Sequence, residues 1–200
     1  MTRAILEELA GEKGRRIYLT TKSDLVVRDV DLLAEIARRN TLGVCLTVTT
    51  MDAELARKLE PKAPRPDLRM HAVAELSREG LRTGVLCCPV MPLINDSLAG
   101  LESVAKAVAR AGAQWIAGNV LFLKPSASQV FLPFIERNFP ILAGRYRRLF
   151  ARSAFLRGEY PETVRRKMDA VRRKYGLTGR PVEYPAETVC EEGQLGLDFR

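Results

Sequence analysis

Between residues 17 and 123 one pattern recurs: a short apolar run, a polar break, then apolar positions three or four apart. The short runs, Ile17–Thr21, Gly43–Thr49, Val85–Val90 and Trp115–Leu123, predict strands. The spaced positions predict helices. Thr2 precedes an amphipathic run with Ile5, Leu6 and Leu9, ending near Gly11 and Gly14. Asp29 is placed to cap a helix with Val30, Leu32, Leu33, Ile36 and Ala37 on its apolar face. Asp52 starts a short helical turn that Glu60 and Pro61 end. Arg65 and Pro66 open the next helix, because proline suits the first helical position. That helix directs Met70, Val73, Ala74 and Leu76 to the core and stops at Gly80. Asn95 and Asp96 are placed to cap a long helix with Leu98, Leu101, Val104, Ala105 and Val108 inward and Gly112 at its close. Pro89 has no amide to donate, so it marks the end of the third strand.

Strand and helix therefore alternate at roughly thirty residues per unit, the length of a β/α crossover. The strands are continuously apolar, which predicts a parallel sheet buried on both faces. Four strands are too few to close a barrel, which takes about eight. The expected fold is α/β: a partial (β/α) barrel of parallel strands over residues 1–124. A helical, basic region follows over 125–178. Phe131, Phe134, Ile135 and Phe139 predict one helix there, Tyr146, Leu149 and Phe150 another. Val164, Met168, Val171 and Tyr175 predict a third, stopped by Gly176. Aromatics at helical spacing read as packing. Residues 179–200 lack periodicity and read as a mobile tail.

Composition adds two constraints. The net charge of +8 and pI near 9.6 favour an acidic partner, nucleic acid first. The charge is concentrated: Arg145, Arg147, Arg148, Arg152, Arg157, Arg165, Arg166, Lys167, Arg172, Arg173 and Lys174 share one segment. Only Glu159, Glu162 and Asp169 oppose them there. A solvated helical face and a nucleic-acid contact both account for this. Cys45, Cys87, Cys88 and Cys190 have neither metal-ligand nor disulfide-framework spacing, so buried free thiols are expected and no metal site. No apolar run is long enough to span a bilayer and no signal peptide opens the chain, so the expected compartment is the cytoplasm. His71, the single histidine, falls mid-helix and reads as a surface residue.

Three predicted strand ends carry polar or special residues: Lys22 with Ser23, Thr47 with Thr49, and Cys88 with Pro89. Right-handed crossovers put such ends on one rim, where ligands of parallel α/β folds bind. A lysine beside hydroxyls suits a carboxylate, a ribose or a phosphate. On pattern alone, a loop lysine and strand-forming threonines are the stronger reading. There is no Ser/His/Asp set, no glycine-rich phosphate loop and no histidine-based metal spacing.

Five stretches carry a family resemblance: residues 21–33 (TKSDLVVRDVDLL), 46–52 (LTVTTMD), 59–64 (LEPKAP) with Arg69, 88–96 (CPVMPLIND) and 119–123 (NVLFL). Together they resemble the radical S-adenosylmethionine proteins related to spore photoproduct lyase, over most of residues 1–175. The resemblance implies a partial six-stranded β/α barrel that binds S-adenosylmethionine at the strand rim, near a four-iron four-sulfur cluster. The implied activity is nucleic-acid-directed radical chemistry of the repair kind, on DNA in photoproduct lyase itself. The implied cofactor-binding set is Lys22, Ser23, Thr47, Thr49, Arg69, Cys88 and Pro89. Within it Lys22 contacts the cofactor, Arg69 meets its carboxylate, and Cys88 and Pro89 line its site. Glu60 matches a recurrent acidic position. The family's CxxxCxxC cluster loop has no counterpart here. The chain is therefore expected to be a truncated form, inactive alone, with an exposed sheet edge. The alternative is a non-catalytic basic α/β nucleic-acid-binding module tethered to the DNA sliding clamp.

The last residues hold a second resemblance. Gln194, Leu197 and Phe199, in the run QLGLDF, are similar to the peptide by which proteins bind the bacterial DNA sliding clamp.

Overall fold

A computed structural model of the protein describes residues 2–180 of its 200. The elements are α1 (Thr2–Gly11), β1 (Arg16–Thr21), a 3-10 turn (Asp24–Asp29), α2 (Val30–Arg39), β2 (Thr41–Thr47), α3 (Ala53–Leu59) and α4 (Pro66–Arg78). They continue as β3 (Arg82–Leu86), α5 (Leu98–Arg110), β4 (Trp115–Ala117), α6 (Pro125–Asn138), α7 (Pro140–Leu149) and α8 (Glu159–Tyr175). Gln194, Leu197 and Phe199 lie outside the described residues.

The four strands form one parallel sheet in the order β1-β2-β3-β4. Spatial order follows chain order, as in a barrel wall; a doubly wound sheet reverses at a switch point. The expected partial β/α barrel with a C-terminal helical region is thus the fold found. On β2 the alternate residues Leu42, Val44, Leu46 and Val48 face a helix layer. They share one core with Leu33 and Ile36 of α2, Val73 and Leu76 of α4, and Leu101, Val104 and Val108 of α5. Val164, Met168 and Val171 of α8 join the same core. The opposite parity of β2, Cys45 and Thr47, is buried as well.

The expectation of strands buried on both faces holds for β2 and fails for β1. Arg16, Tyr18 and Thr20 are exposed, alternating with half-buried Ile17, Leu19 and Thr21. β1 is one edge of the sheet. The β4 edge is covered: Ile116 N–H donates to Thr178 O (3.1 Å) and Thr178 N–H to Gln114 O (3.1 Å). Gly84 pairs with Trp115. A Cβ on Gly84 would fall 1.9 Å from the indole, so only glycine lets the ring lie across β3.

Several boundaries differ from expectation. β2 begins and ends two residues early, although Val48 N–H still reaches Leu86 O (2.9 Å). β3 ends at Leu86, because Pro89 has no amide for the ladder. β4 ends at Ala117, leaving a lone bridge between Val90 and Val120. Asp29 does not cap α2; its carboxylate is buried and accepts from Arg3 Nη1 (3.0 Å) and from Arg28 Nε and Nη2 (3.2 and 3.0 Å). Ser97, not Asn95 or Asp96, caps α5, accepting Gly100 N–H at 3.0 Å. Leu98, expected inward, is half-exposed in the first turn of α5. Asp96 instead joins the loop after β3 to α8, accepting from Tyr160 Oη (3.0 Å), while its carbonyl accepts from Lys167 Nζ (2.6 Å).

α6 and α7 pack as a hairpin on a second core, where Phe131, Phe134, Phe139 and Phe150 surround Tyr146, Ile135, Met91, Leu121 and Leu123. The aromatic stripe is packing, as expected. α8 returns to the main core and stops at Gly176, whose φ of +64° suits glycine.

Candidate functional site at the strand rim

All four strands run the same way, so their C-terminal ends share one rim. Strand parity then decides which side chains meet. Thr20, Cys45, Gly84 and Trp115 are register partners in one row across the sheet. Two residues further along, Thr47 pairs with Leu86 and Leu86 with Ala117. Lys22, Thr49 and Cys88 continue the same parity toward the rim. These residues belong to the sheet face opposite the helix layer.

Glu60 organises the polar groups at this rim. Asp52 caps α3 by accepting Glu54 N–H (2.9 Å) and Leu55 N–H (3.0 Å), and Pro61 prevents the helix continuing past Glu60. The carboxylate is thereby delivered beneath the end of β2. It accepts from Arg69 Nη1 at 2.7 Å and Thr49 Oγ1 at 3.3 Å, and pairs with Lys22 Nζ at 3.4 Å. Arg69 is 1% exposed. Its Nη1 also donates to Thr47 O (2.8 Å) and its Nε to Pro64 O (2.8 Å), joining β2 to the loop that opens α4. Its Nη2 is buried without a partner. An arginine on a helix is expected at the surface, so burial of this one was not legible in the sequence.

Lys22 and Ser23 line an open, shallow cleft of ≈ 690 Å³ together with Glu60, Pro61 and Pro64. That volume suits a small-molecule ligand. Ser23 is partly engaged: its hydroxyl accepts Leu25 N–H (3.2 Å) and its amide donates to Thr21 Oγ1 (3.0 Å). The structure thus brings Lys22, Ser23, Thr49, Glu60 and Arg69 into one cluster, with Arg69 underneath and Lys22 open to solvent. Thr47 is buried on the same face. Cys88 precedes a cis peptide to Pro89.

Asn95 was missed as a site organiser. Its Oδ1 accepts Met91 N–H (2.6 Å), and its Nδ2 donates to Thr49 O (3.0 Å) and Pro89 O (3.1 Å). It therefore holds the ends of β2 and β3 together. The signal for it was a lone amide in the apolar run Met91–Asn95. Asn119 was likewise missed; its N–H donates to Cys88 Sγ at 3.2 Å.

The thiols do not form a ligand set. Cys45 Sγ meets Thr20 Oγ1 at 3.1 Å, and Cys87 Sγ donates to Thr49 O at 3.6 Å on the helix-facing side. Burial pushes the Cys87 thiol up to about 12 and raises Cys45 and Cys88. For Cys88, the Asn119 amide and the Lys22 charge oppose the rise. No group of three metal-ligating side chains occurs among the described residues.

In the basic segment, Arg147 pairs with Glu136, Arg165 with Glu162, Arg172 with Asp169 and Lys174 with Glu102. Arg145, Arg148, Arg152, Arg157 and Arg173 make no ion pair among the described residues. No described helix is long and apolar enough to cross a membrane.

No family model matches the chain. An uncharacterized protein of Mycobacterium tuberculosis is 31% identical over 175 residues, 88% of this chain and 52% of that protein. One from Methanocaldococcus jannaschii is 26% identical over 183 residues, 86% of this chain and 61% of that protein. The chain spans about half the length of the curated relatives it matches. Among solved structures, spore photoproduct lyase with its dinucleoside spore photoproduct superposes with TM-score 0.62 at 14% identity. A variant with bound S-adenosylmethionine and the same dinucleoside gives 0.63 at 12%. Both matches cover 89% of this chain and 54% of the other. The likeness is one of fold: the parallel sheet and its helices are part of the fold of spore photoproduct lyase.

Proposed function

We propose that this chain carries the S-adenosylmethionine-binding side of a radical S-adenosylmethionine protein of the photoproduct-lyase-like kind, directed at nucleic acid. One observation carries the reading. A cleft of ≈ 690 Å³ opens at the C-terminal strand ends beside Lys22 and Glu60. Beneath it lies Arg69, a buried cation with one unpartnered donor. The donor set fits the cofactor. Lys22 Nζ would meet the carboxylate of its methionine part, and Glu60 the ribose hydroxyls or the amino group. Thr47, Thr49, Cys88 and Pro89 do not line that cleft; Thr47 and Thr49 are buried behind Glu60 and Arg69. S-Adenosylmethionine supplies a carbon-centred radical when paired with a reducing cluster. This chain's described residues do not fit that cluster, because no three ligating side chains gather among them. The role assigned here is therefore binding and orientation.

The absence of a cluster ligand set among the described residues favours a second reading, a non-catalytic basic nucleic-acid-binding module. Equilibrium dialysis with labelled S-adenosylmethionine separates the two. Saturable binding is expected, weakened about tenfold or more by Lys22→Ala, the worth of one charge-assisted hydrogen bond. The melting temperature should not move, since Lys22 is exposed. No saturable binding, or binding indifferent to Lys22→Ala, would remove the cofactor assignment.

A further inference from the structure

Beyond Cys88 the chain past β4 runs along the loop after β3: Val90 N–H donates to Asn119 O (2.8 Å) and Leu121 N–H to Val90 O (2.9 Å). Phe122 therefore lies on the same rim as the cleft. It bridges Phe155 in antiparallel fashion, held by Leu123 N–H to Ala154 O at 2.8 Å. The two rings stack, with centroids 5.5 Å apart and planes 22° apart. They are nonetheless 51% and 54% exposed, whereas the aromatics of α6 and α7 are drawn into the second core. Lys124, Arg152 and Arg157 lie within three residues of the pair, are exposed, and make no ion pair among the described residues.

We propose that the Phe122–Phe155 pair, with Lys124, Arg152 and Arg157 around it, is a docking surface for single-stranded nucleic acid. Charge decides the class of partner: three uncompensated cations call for a polyanion. The rings decide its form. An exposed π face takes an unstacked base, which a duplex does not offer, while the cations take the phosphates. The proposal deepens the functional reading above by naming where substrate would be held. Its test uses no S-adenosylmethionine, so failure of one leaves the other standing.

The test is fluorescence anisotropy of a labelled oligothymidylate of about 12 nucleotides, within the range of single-strand site sizes, across about 50 to 200 mM salt. Phe122→Leu or Phe155→Leu should weaken binding about tenfold at fixed salt while keeping the salt slope. Arg152→Ala with Arg157→Ala should lower the slope by about 0.7 for each phosphate no longer neutralised. Where a leucine variant melts early, Phe155→Trp serves instead: it retains a π face and should bind at least as tightly as the parent. Binding unchanged by the leucine variants, or weakened by Phe155→Trp, would overturn the proposal. So would equal displacement of the oligonucleotide by polyglutamate at matched charge, which would mark a surface for acidic protein.

Discussion

Replacing Glu60 by Gln tests whether the rim is held by one buried charge pair. The substitution keeps the volume and removes the charge. Arg69 is 1% exposed, and Glu60 is its one carboxylate partner among the described residues, at 2.7 Å. Stranding a buried charge costs about 3–5 kcal/mol. The carbonyls of Thr47 and Pro64 still accept from the guanidinium, and the new amide oxygen can accept too. The lower end therefore applies, about 3 kcal/mol. For a chain of this size about 1 kcal/mol moves the melting temperature by 2–4 °C, so a fall of about 6–12 °C is expected. Lys22→Ala breaks the other half of the network, but that ammonium is solvated, and an exposed pair contributes under about 1 kcal/mol. Calorimetry on both variants and on Arg69→Met, combined as a double-mutant cycle with Glu60→Gln, should show strong coupling between Glu60 and Arg69. Equal, small shifts for Glu60→Gln and Lys22→Ala would refute the idea that Arg69 depends on this carboxylate.

Gly84→Ala should destabilise the protein by about 1–3 kcal/mol or more, the cost of overpacking, because the new Cβ lands 1.9 Å from the indole. Trp115 is the single tryptophan, so its emission should shift red; unchanged melting and emission would mean the ring is not over β3. Asp29 should contribute acid-labile stability. Hydrogen bonds from Arg28, then Arg3, hold its carboxyl below the usual range. A depressed carboxyl stabilises above the unfolded value near about pH 4 and loses that contribution as pH falls through the folded value. The melting gap between the parent and Asp29→Asn should therefore close in acid, and a pH-independent gap would contradict the pairing. Peptide mapping after alkylation of the native protein should find Cys88 modified before Cys87, which reacts only on unfolding; simultaneous labelling would place Cys87 outside the core.

Periodicity was enough for the parts of the fold that one segment decides. The apolar run around Val44 and Leu46, the Asp52 cap, Pro66 at the first helical position and Gly176 at the last helix end all act through near neighbours. The misreadings at Asp29, Asn95 and Asp96 have one cause. A short polar side chain chooses between its own helix and a distant group, and the distant group is invisible in a local window. Asp29 is claimed by Arg3, Asn95 by the carbonyls of Thr49 and Pro89, and Asp96 by Tyr160. The same limit applies to the rim. The handedness of the crossovers placed Lys22, Thr47, Thr49 and Cys88 at one rim. It could not show that Arg69 would be buried under Glu60, because that depends on where the loop between α3 and α4 closes.

Sharing Glu60 between two cations also divides their roles. The bond to Arg69 lies in a low-dielectric setting, where salt screens it little. The bond to Lys22 is longer, 3.4 Å, and faces water. A ligand arriving at the cleft can recruit Lys22 for less than about 1 kcal/mol, since that is what the exposed pair is worth. Recruiting Arg69 Nη1 would cost several times more, because Glu60 and the Thr47 carbonyl would lose their donor. Arg69 can therefore act on a ligand only through its spare Nη2 or through Glu60, and Lys22 is the group free to turn. Raising the salt should loosen the Lys22 contact and leave the Arg69 network intact, so the rim keeps its shape under conditions that weaken its hold on an anionic ligand.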